Sequence, residues 1–247
     1  MICYARWQAL RLHLLFHHRF TAVPQPYACL LHLEGVHVLV CGGGAVAARR
    51  LPALLQAGAR VHVVSPHVHP AIEALHQQGR VCWSRHQVDV QALPEARMLF
   101  ALTDDPDINA RLCAYARERG VWANNASDQS DSTLWVPARV QRGVLSVFVS
   151  SAGAAPAAAR AARRWLDAHL DPNWGQIAAL FAALRPVLSS VEDRARSWRM
   201  LGETLPDALT WSPQQWENTL AQWIQQGLLP AFDPHTLVRS SSSSDSE

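Results

Sequence analysis

The stretch VLVCGGGAVAARR, residues 38–50, decides the fold. An apolar run ends in three consecutive glycines, and an alanine-rich segment follows at once. A short apolar run bounded by glycine is typical of a buried strand, and the segment after the glycines has the residue types and spacing of a helix. The stretch therefore predicts a strand, a tight glycine turn and a helix in direct succession.

The glycine turn has the spacing of a dinucleotide-binding loop, with Gly42, Gly44 and Ala47 at the three defining positions. The first glycine permits the turn, the second lets the backbone approach a pyrophosphate, and the third position must be small for the helix to pack. N–H groups at the helix start then bind the negative charge. A purely structural turn is the alternative, but the strand–turn–helix–strand context favours the cofactor. We therefore predict that five turn residues bind it: Gly42, Gly43, Gly44, Ala45 and Val46.

Strands and helices alternate from residue 35 to about residue 125. This alternation is typical of an α/β fold with a Rossmann-like, doubly wound parallel sheet. The predicted strands are 36–41, 60–65, 81–84, 98–103 and 121–124, and the predicted helices are 46–56, 71–78 and 106–119.

The pattern changes in the second half. TLWVPARVQRGVLSVFVS predicts two antiparallel strands around a turn at 141–143, and a helix is predicted from Pro156 through His169. The predicted organisation is a basic extension (1–25), a Rossmann-like domain (26–125), a strand-rich region (126–153), a helical domain (154–232) and a disordered serine-rich tail (233–247). Whether residues 1–25 belong to the mature protein stays open.

Composition excludes several classes of function. All 22 basic residues are arginine, so no lysine is present for a Schiff base or a Walker phosphate loop. The net charge of +2 does not indicate a nucleic-acid partner, and no apolar run reaches the roughly 18 residues of a membrane-spanning helix. The five cysteines form no CxxC pair, so neither a zinc site nor a disulfide framework is indicated. We expect a cytoplasmic protein with no permanently bound metal, no nucleic-acid partner and no membrane association.

Two other strand ends are predicted to contact the cofactor. Strand two ends in Ser65 and Pro66, without the acidic residue that usually binds the ribose hydroxyls. Thr103 and Asp104 follow strand four, at the carboxyl edge where such sheets bind ligands. Asp105, before Pro106, is predicted to cap the next helix. The choice between NAD and NADP stays open on these residues alone.

Five segments in order resemble the amino-terminal module of siroheme synthase, the precorrin-2 dehydrogenase and sirohydrochlorin ferrochelatase family. They are LEGVHVLVCGGGAVAARR, LLQAGARVHVVSP, ALTDDPDINARLCAYARERGVWANNASD, LWVPARVQRGVLSVFVSSAGAAPAAAR and the helical end. The resemblance implies a dimerisation role for the strand-rich region, a homodimer, and NAD-dependent conversion of precorrin-2 to sirohydrochlorin. It implies ferrous iron as a further substrate in bifunctional members, and a separate methyltransferase that supplies precorrin-2 to this chain.

The chain departs from the family pattern at two places. Ser127 stands where the family has the aspartate proposed as the base, and Asp128 is its neighbour; both are the catalytic candidates. A serine hydroxyl without a base is a poor proton acceptor and a weak ferrous iron ligand, so iron insertion stays open. The turn SSAGAAP has fewer glycines and hydroxyls than the family turn. The predicted substrate-binding residues are Asn124, Ser150, Ser151 and Gly153.

Two rival functions remain at this point. A non-catalytic protein that binds NAD or a tetrapyrrole, descended from the enzyme, is favoured by Ser127. A regulatory NAD-binding domain of the ion-channel type would need an acid at the end of strand two and a different second half, so the sequence argues against it.

Overall fold

The computed structural model describes residues 26–188, 195, 199, 202–203, 210–227 and 229. The predicted basic extension at 1–25 and the serine-rich tail at 233–247 lie outside the described residues. The chain divides into two compact units, Met1–Trp135 and Val136–Glu247.

The first unit is built on a parallel sheet of five strands. The elements in chain order are β1 (His37–Cys41), α1 (Ala45–Gln56), β2 (Arg60–Val64), α2 (Pro70–Gln77), β3 (Cys82–Ser84), β4 (Met98–Ala101), α3 (Pro106–Glu118) and β5 (Trp122–Asn125). The strand order is β3-β2-β1-β4-β5 and every pair is parallel. The Rossmann-like fold class is confirmed, and β1 lies in the middle of the sheet.

Helices cover both faces of this sheet. Val38 and Val40 of β1 point to one face and pack in a core with residues of α1 and α2. Leu39 and Cys41 point to the opposite face and pack with residues of α3. Strands buried on both faces are continuous apolar runs, which is why β1 and β4 were visible in the sequence.

The first unit extends past the domain boundary that we predicted at residue 125. Backbone N–H groups of Thr133 and Leu134 both donate to the carbonyl of Ala123, at 2.9 Å each, so the chain after β5 folds back along that strand. Residues 126–135, including a short 3-10 turn at Gln129–Asp131, therefore belong with the sheet and not with the second unit.

The second unit starts with the predicted antiparallel hairpin, β6 (Ala138–Arg142) and β7 (Leu145–Val149). The helices that follow within the described residues include α4 (Pro156–His169), α5 (Trp174–Leu188) and α6 (Pro213–Gln225). Arg142 at the end of β6 holds α4 in place, because its Nε donates to the carbonyl of Leu170 at 3.2 Å and its Nη1 to Asp167 at 3.2 Å.

A strained residue lies in the turn between β7 and α4. Ala152 has a φ of +51°, the one non-glycine residue with positive φ that the described structure contains. The left-handed region costs an L-residue roughly 1–2 kcal/mol because the β-carbon crowds the following carbonyl.

Replacing Ala152 by glycine should therefore stabilise the protein. We expect Ala152→Gly to raise the free energy of unfolding by about 0.5–1 kcal/mol, since strain relief exceeds the added entropy of the unfolded chain. The matched control is Ala154→Gly in the same turn, where φ is not positive, and it should destabilise by about 0.4–1 kcal/mol. Urea denaturation measures both; equal effects of the two substitutions would contradict the strain argument.

Candidate functional site

The carboxyl ends of β1 and β4 meet at Gly42, directly after β1. Gly42 has a φ of +109°, and a β-carbon there would lie within 2.8 Å of backbone atoms of Leu102 and Thr103. Its N–H donates to the carbonyl of Val64 at 2.9 Å. Only glycine satisfies both the backbone angle and the close approach, so Gly42 fixes the position of the loop after β4 against β1.

The other two glycines have different surroundings. A β-carbon on Gly43 would collide with the carbonyl of His67 and with Val68, so this glycine lets the turn after β2 come close. Its carbonyl accepts from the N–H of His69 at 2.7 Å. A β-carbon on Gly44 would meet nothing within 4 Å, and the residue is exposed. Gly44 thus faces open space, so the protein backbone at this position can lie close to a bound pyrophosphate.

Helix α1 begins at this open side without a capping side chain. Gly44 is the N-cap and makes no side-chain hydrogen bond, and Ala45 and Val46 are exposed. The N–H groups of the first helical turn have no partner within the helix, and the helix dipole adds positive charge there. The predicted cofactor residues therefore lie at a helix start of the kind that binds anions in other proteins, with Ala47 buried beneath it.

The end of β2 is an ordered turn. Ser65 is buried, and its hydroxyl donates to the carbonyl of His67 at 2.6 Å. Its own carbonyl accepts from the indole N–H of Trp83 at 2.9 Å. Pro66 is half-buried and His67 is exposed. Ser65 thus shapes the turn that Gly43 contacts, and a direct contact from Ser65 or Pro66 to a ribose stays a prediction.

A buried asparagine connects the loop after β4 with α3. Asn109 is 0% exposed, and its Oδ1 accepts from the N–H of Thr103 at 3.0 Å. Its Nδ2 donates to the carbonyl of Thr103 at 2.9 Å. Asp105 caps α3 as predicted, accepting from the N–H groups of Asp107 and Ile108 at 2.9 and 3.1 Å. Asp104 is exposed at this edge.

The same asparagine reaches the catalytic candidates after β5. Asn109 Nδ2 also donates to Ser127 Oγ at 2.8 Å. Asn125, 2% exposed, accepts through Oδ1 from the N–H groups of Ser127 and Asp128, at 2.8 and 3.2 Å. Two amide side chains therefore hold the loop that carries Ser127, and Thr103 is joined to it through Asn109.

Asp128 has a local structural role. Its Oδ1 accepts from the N–H of Ser130 at 2.8 Å, at the start of the 3-10 turn. The backbone and side-chain hydrogen bonds from Ser130 lower the pKa of this exposed carboxyl group. The bond stabilises the folded state when the carboxylate is ionised, and this contribution is lost as the pH falls through the lowered pKa. The lowered pKa also makes Asp128 a weaker base.

Asn124 faces away from this loop. Its Oδ1 accepts from Arg50 Nη1 at 2.8 Å, and its Nδ2 donates to the carbonyl of Leu134 at 3.0 Å. The Arg50 guanidinium also lies 4.7 Å from the ring centre of Phe100, and burial lowers its pKa. The amide of Asn124 thus serves the packing of α1 and the chain after β5, and its contact with substrate stays a prediction.

The remaining substrate-binding candidates lie in the second unit. Ser150 Oγ accepts from the N–H of Ala152 at 3.1 Å, and Ser151 Oγ accepts from the N–H of Ala155 at 3.1 Å. Gly153 follows with a φ of +81°. Both serine oxygens brace the turn as acceptors, which leaves each hydroxyl proton free to donate to another group.

Cysteine chemistry does not contribute at the glycine turn. Cys41, the last residue of β1, is buried, and desolvation together with nearby Cys113 raises its thiol pKa to about 12. Burial likewise raises the pKa of Cys113 to about 11. Both thiols are neutral at physiological pH, and the thiolate is the nucleophilic form.

In the described part of the chain, no three or more histidine, cysteine or acidic side chains come together as a metal site would require. None of the helices within that part has the length and apolar character needed to cross a membrane.

The sequence analysis missed Asn109 and Asn125. The sequence pattern does indicate that Asn109 is buried, because it lies on the same helical face as Leu112, Cys113 and Ala116. A polar residue on an apolar stripe must find hydrogen-bond partners when the stripe is buried. The sequence pattern does not show which partners these are.

The fold and the glycine turn define a Rossmann-type dinucleotide-binding domain, and a family model described as "Putative NAD(P)-binding" matches residues 29–138. Siroheme synthase 1 of Serratia proteamaculans is 38% identical over 165 residues, which are 65% of this chain and 35% of that protein. The siroheme synthase of Gluconobacter oxydans is 33% identical over 193 residues, 74% of this chain and 41% of that protein. The chain thus spans between 35% and 41% of the length of these two synthases.

A solved structure matches most of both chains. "SirC, precorrin-2 dehydrogenase" superposes with a TM-score of 0.68 and 27% identity, covering 82% of this chain and 98% of that chain. These matches and the superposition support the resemblance to the amino-terminal module of siroheme synthases that the sequence indicated.

Substitutions at the two ends of the glycine turn should separate folding from binding. Gly44→Ala should change the free energy of unfolding by less than about 1 kcal/mol, because the added carbon meets open space. It should weaken NADH binding about 10- to 100-fold by keeping the pyrophosphate from the helix start. Fluorescence titration measures the affinity.

Gly42→Ala is the matched comparison. It should lower the free energy of unfolding by at least about 2 kcal/mol through collision with Leu102 and a strained φ. If Gly44→Ala bound NADH normally, the proposed pyrophosphate site would be wrong.

Proposed function

We propose that this chain is an NAD-dependent dehydrogenase that converts precorrin-2 to sirohydrochlorin in siroheme biosynthesis. The observation that carries the proposal is the uncapped start of α1 beside Gly44, an open anion site at the carboxyl edge of a Rossmann-type sheet. The relatives are named as siroheme synthases and a precorrin-2 dehydrogenase, which supports the substrate and the reaction.

The reaction divides between cofactor and protein. Bound NAD⁺ would supply the hydride acceptor, so that loss of a hydride and a proton from precorrin-2 would give sirohydrochlorin, NADH and H⁺. The N–H groups of Ala45 and Val46 bind the pyrophosphate, while Gly44 allows its approach. Thr103 and Asp104, next to Gly42, contact the cofactor at the same edge. Orientation by these residues is the main contribution that the protein makes.

Substrate binding draws on donors that the structure leaves available. Precorrin-2 carries many carboxylates, and hydroxyl donors suit them. Ser150 and Ser151, whose oxygens already accept from the backbone, are the proposed donors of the second unit. Arg142 and Arg163 are less suited, because both pair with Asp167 at 3.2 and 2.6 Å.

Ferrous iron insertion has weaker support than dehydrogenation. Residue 127 offers a neutral hydroxyl, which binds Fe²⁺ weakly, and the neighbouring Asp128 caps a turn. Supply of precorrin-2 by a separate methyltransferase and a cytoplasmic location stay predictions.

The first experiment is a turnover assay. Purified protein, enzymatically generated precorrin-2 and NAD⁺ are mixed without oxygen, and NADH absorbance and the sirohydrochlorin spectrum are followed. We expect both to appear at a rate proportional to enzyme concentration. Tight NADH binding without turnover would reject the dehydrogenase and support the rival function, a non-catalytic binder of NAD or tetrapyrrole.

Asp128→Ala tests the remaining carboxylate. A general base contributes about 10²- to 10⁴-fold to the rate. If Asp128 has only a structural role, turnover in the variant should therefore slow by much less than about 100-fold. We expect the smaller effect, since Asp128 is exposed and its pKa is lowered. If turnover instead slowed by about 100-fold or more, with the fold intact by circular dichroism, the base role would belong to Asp128.

We also propose a homodimer through the second unit. A two-stranded sheet leaves both edges unpaired, and further strands or packing are needed for stability. Several large apolar side chains of this unit are exposed, including Phe148 at 43%, Val144 at 66% and Trp165 at 60%. Burial of such side chains against a second copy is the arrangement that the family resemblance implies.

A charge at this surface should separate the copies. Phe148→Glu should convert a dimer to a monomer in sedimentation velocity, because a carboxylate would have to be desolvated at the interface. Tyr27→Glu is the control, an equally drastic change at a 91% exposed aromatic residue of the first unit, and should leave the dimer intact. A monomeric wild type, or a dimer unaffected by Phe148→Glu, would contradict this interface.

A further inference from the structure

The orientation of the Asn109 side chain is fixed by the backbone. The N–H of Thr103 can only donate, so it faces the amide oxygen, Oδ1, at 3.0 Å. The carbonyl of Thr103 can only accept, so it faces the amide nitrogen, Nδ2, at 2.9 Å. With the amide reversed, its nitrogen would face the N–H of Thr103, a donor against a donor. Its oxygen would face the carbonyl of Thr103, an acceptor against an acceptor. Asn109, with no exposed surface, therefore has a single stable orientation.

This orientation determines the role of Ser127. Asn109 Nδ2 carries a second N–H, which lies 2.8 Å from Ser127 Oγ. The nitrogen cannot accept, so the serine oxygen must accept from it, and the serine proton must point elsewhere. Within the described residues, the structure shows no hydrogen bond donated by the serine hydroxyl. Ser127 is exposed, so its O–H is presented to whatever binds there.

The backbone of residue 127 is fixed as well. Asn125, itself buried, accepts from the N–H groups of Ser127 and Asp128. The loop is tied to β4 because the N–H of Ala126 donates to the carbonyl of Ala101 at 3.1 Å. Through Asn109 and Thr103, Ser127 is linked to the close contact at Gly42. The hydroxyl is therefore held at the ligand edge of the sheet and does not lie on a free loop.

We propose that Asn109 is a positioning residue that holds Ser127 as a hydrogen-bond donor to a carbonyl or carboxylate oxygen of the bound ligand. Residue 127 accepts no proton in this chain, and the proton of the dehydrogenation passes to water. The proposal rests on the proposed function for its kinetic readouts, whereas its binding readouts do not need turnover. The acceptor oxygen belongs either to the nicotinamide carboxamide or to a carboxylate of the tetrapyrrole.

Removal of the hydroxyl is the direct test. Ser127→Ala should weaken binding about 3- to 10-fold, the usual effect of one lost hydrogen bond, while the pH profile of kcat/KM stays that of the wild type. NADH titration without tetrapyrrole reports a nicotinamide acceptor, and sirohydrochlorin titration without NADH reports a tetrapyrrole acceptor. Ser127→Thr, which keeps the hydroxyl, should restore affinity. Ser130→Ala, a matched removal in the same loop, should change neither affinity.

Two outcomes would overturn the donor role. Unchanged affinity for both ligands in Ser127→Ala would show that the hydroxyl contacts neither. A fall in turnover by about 100-fold or more, together with loss of an ionisation from the pH profile, would show that residue 127 serves as the base. Absence of turnover in the wild type would reject the proposed function alone, since both titrations still report on Ser127.

Asn109→Asp tests the positioning role. The variant keeps the acceptor that faces the N–H of Thr103 but puts an oxygen opposite both Ser127 and the carbonyl of Thr103, so the serine proton turns inward and the bond to that carbonyl is lost. We expect the same loss of affinity as in Ser127→Ala, and no further loss when both substitutions are combined. Additive losses would show that Asn109 does not act through Ser127. If Asn109→Asp does not fold, judged by circular dichroism, Ser127→Ala with the Ser127→Thr rescue decides the proposal.

Discussion

The close approach of Gly42 to the backbone of Leu102 and Thr103 is the constraint on which the site depends. Parallel strands bring their carboxyl ends to one edge, but side chains normally keep the following loops apart. A glycine after β1 removes that obstacle. The loop after β4 can then lie against the turn that starts α1, and Asn109 reaches from α3 to the loops after β4 and β5. Three loops thus form one connected edge.

Apolar periodicity made most of the fold predictable. Continuous apolar runs identified β1 and β4, and the helix from Pro156 to His169 was placed to the residue. Such patterns work because burial on two faces or on one stripe requires them. The boundary at 125 was placed too early, since the return of residues 126–135 along β5 rests on hydrogen bonds from Thr133 and Leu134 that no pattern records.

Less of the site was predictable. The spacing of the glycines reflects what the backbone of a dinucleotide-binding turn requires, so it located the start of α1 and distinguished this turn from other turns. The roles of Asn109, Asn124 and Asn125 depend on which groups surround each amide, and two adjacent asparagines on β5 point to opposite faces. Asn124 is predicted to bind the substrate, whereas in the structure its amide is hydrogen-bonded to the Arg50 side chain and to the carbonyl of Leu134. The sequence presents Ser127 only as a poor proton acceptor, and the contact with the Asn109 amide shows that the serine oxygen accepts and that its proton points away from Asn109.

The central position of β1 also determines where the molecule can open. Side chains of this strand alternate between two separate cores, so neither core can loosen without exposing the other. We therefore expect stability to be cooperative along β1 and its amide hydrogens to exchange with solvent only when the whole unit unfolds. The serine turn, whose two serine hydrogen bonds are exposed, is expected to open by local fluctuation. We therefore expect slow amide exchange in the strand that precedes the glycine turn and faster exchange in the serine turn that is proposed to bind the larger substrate.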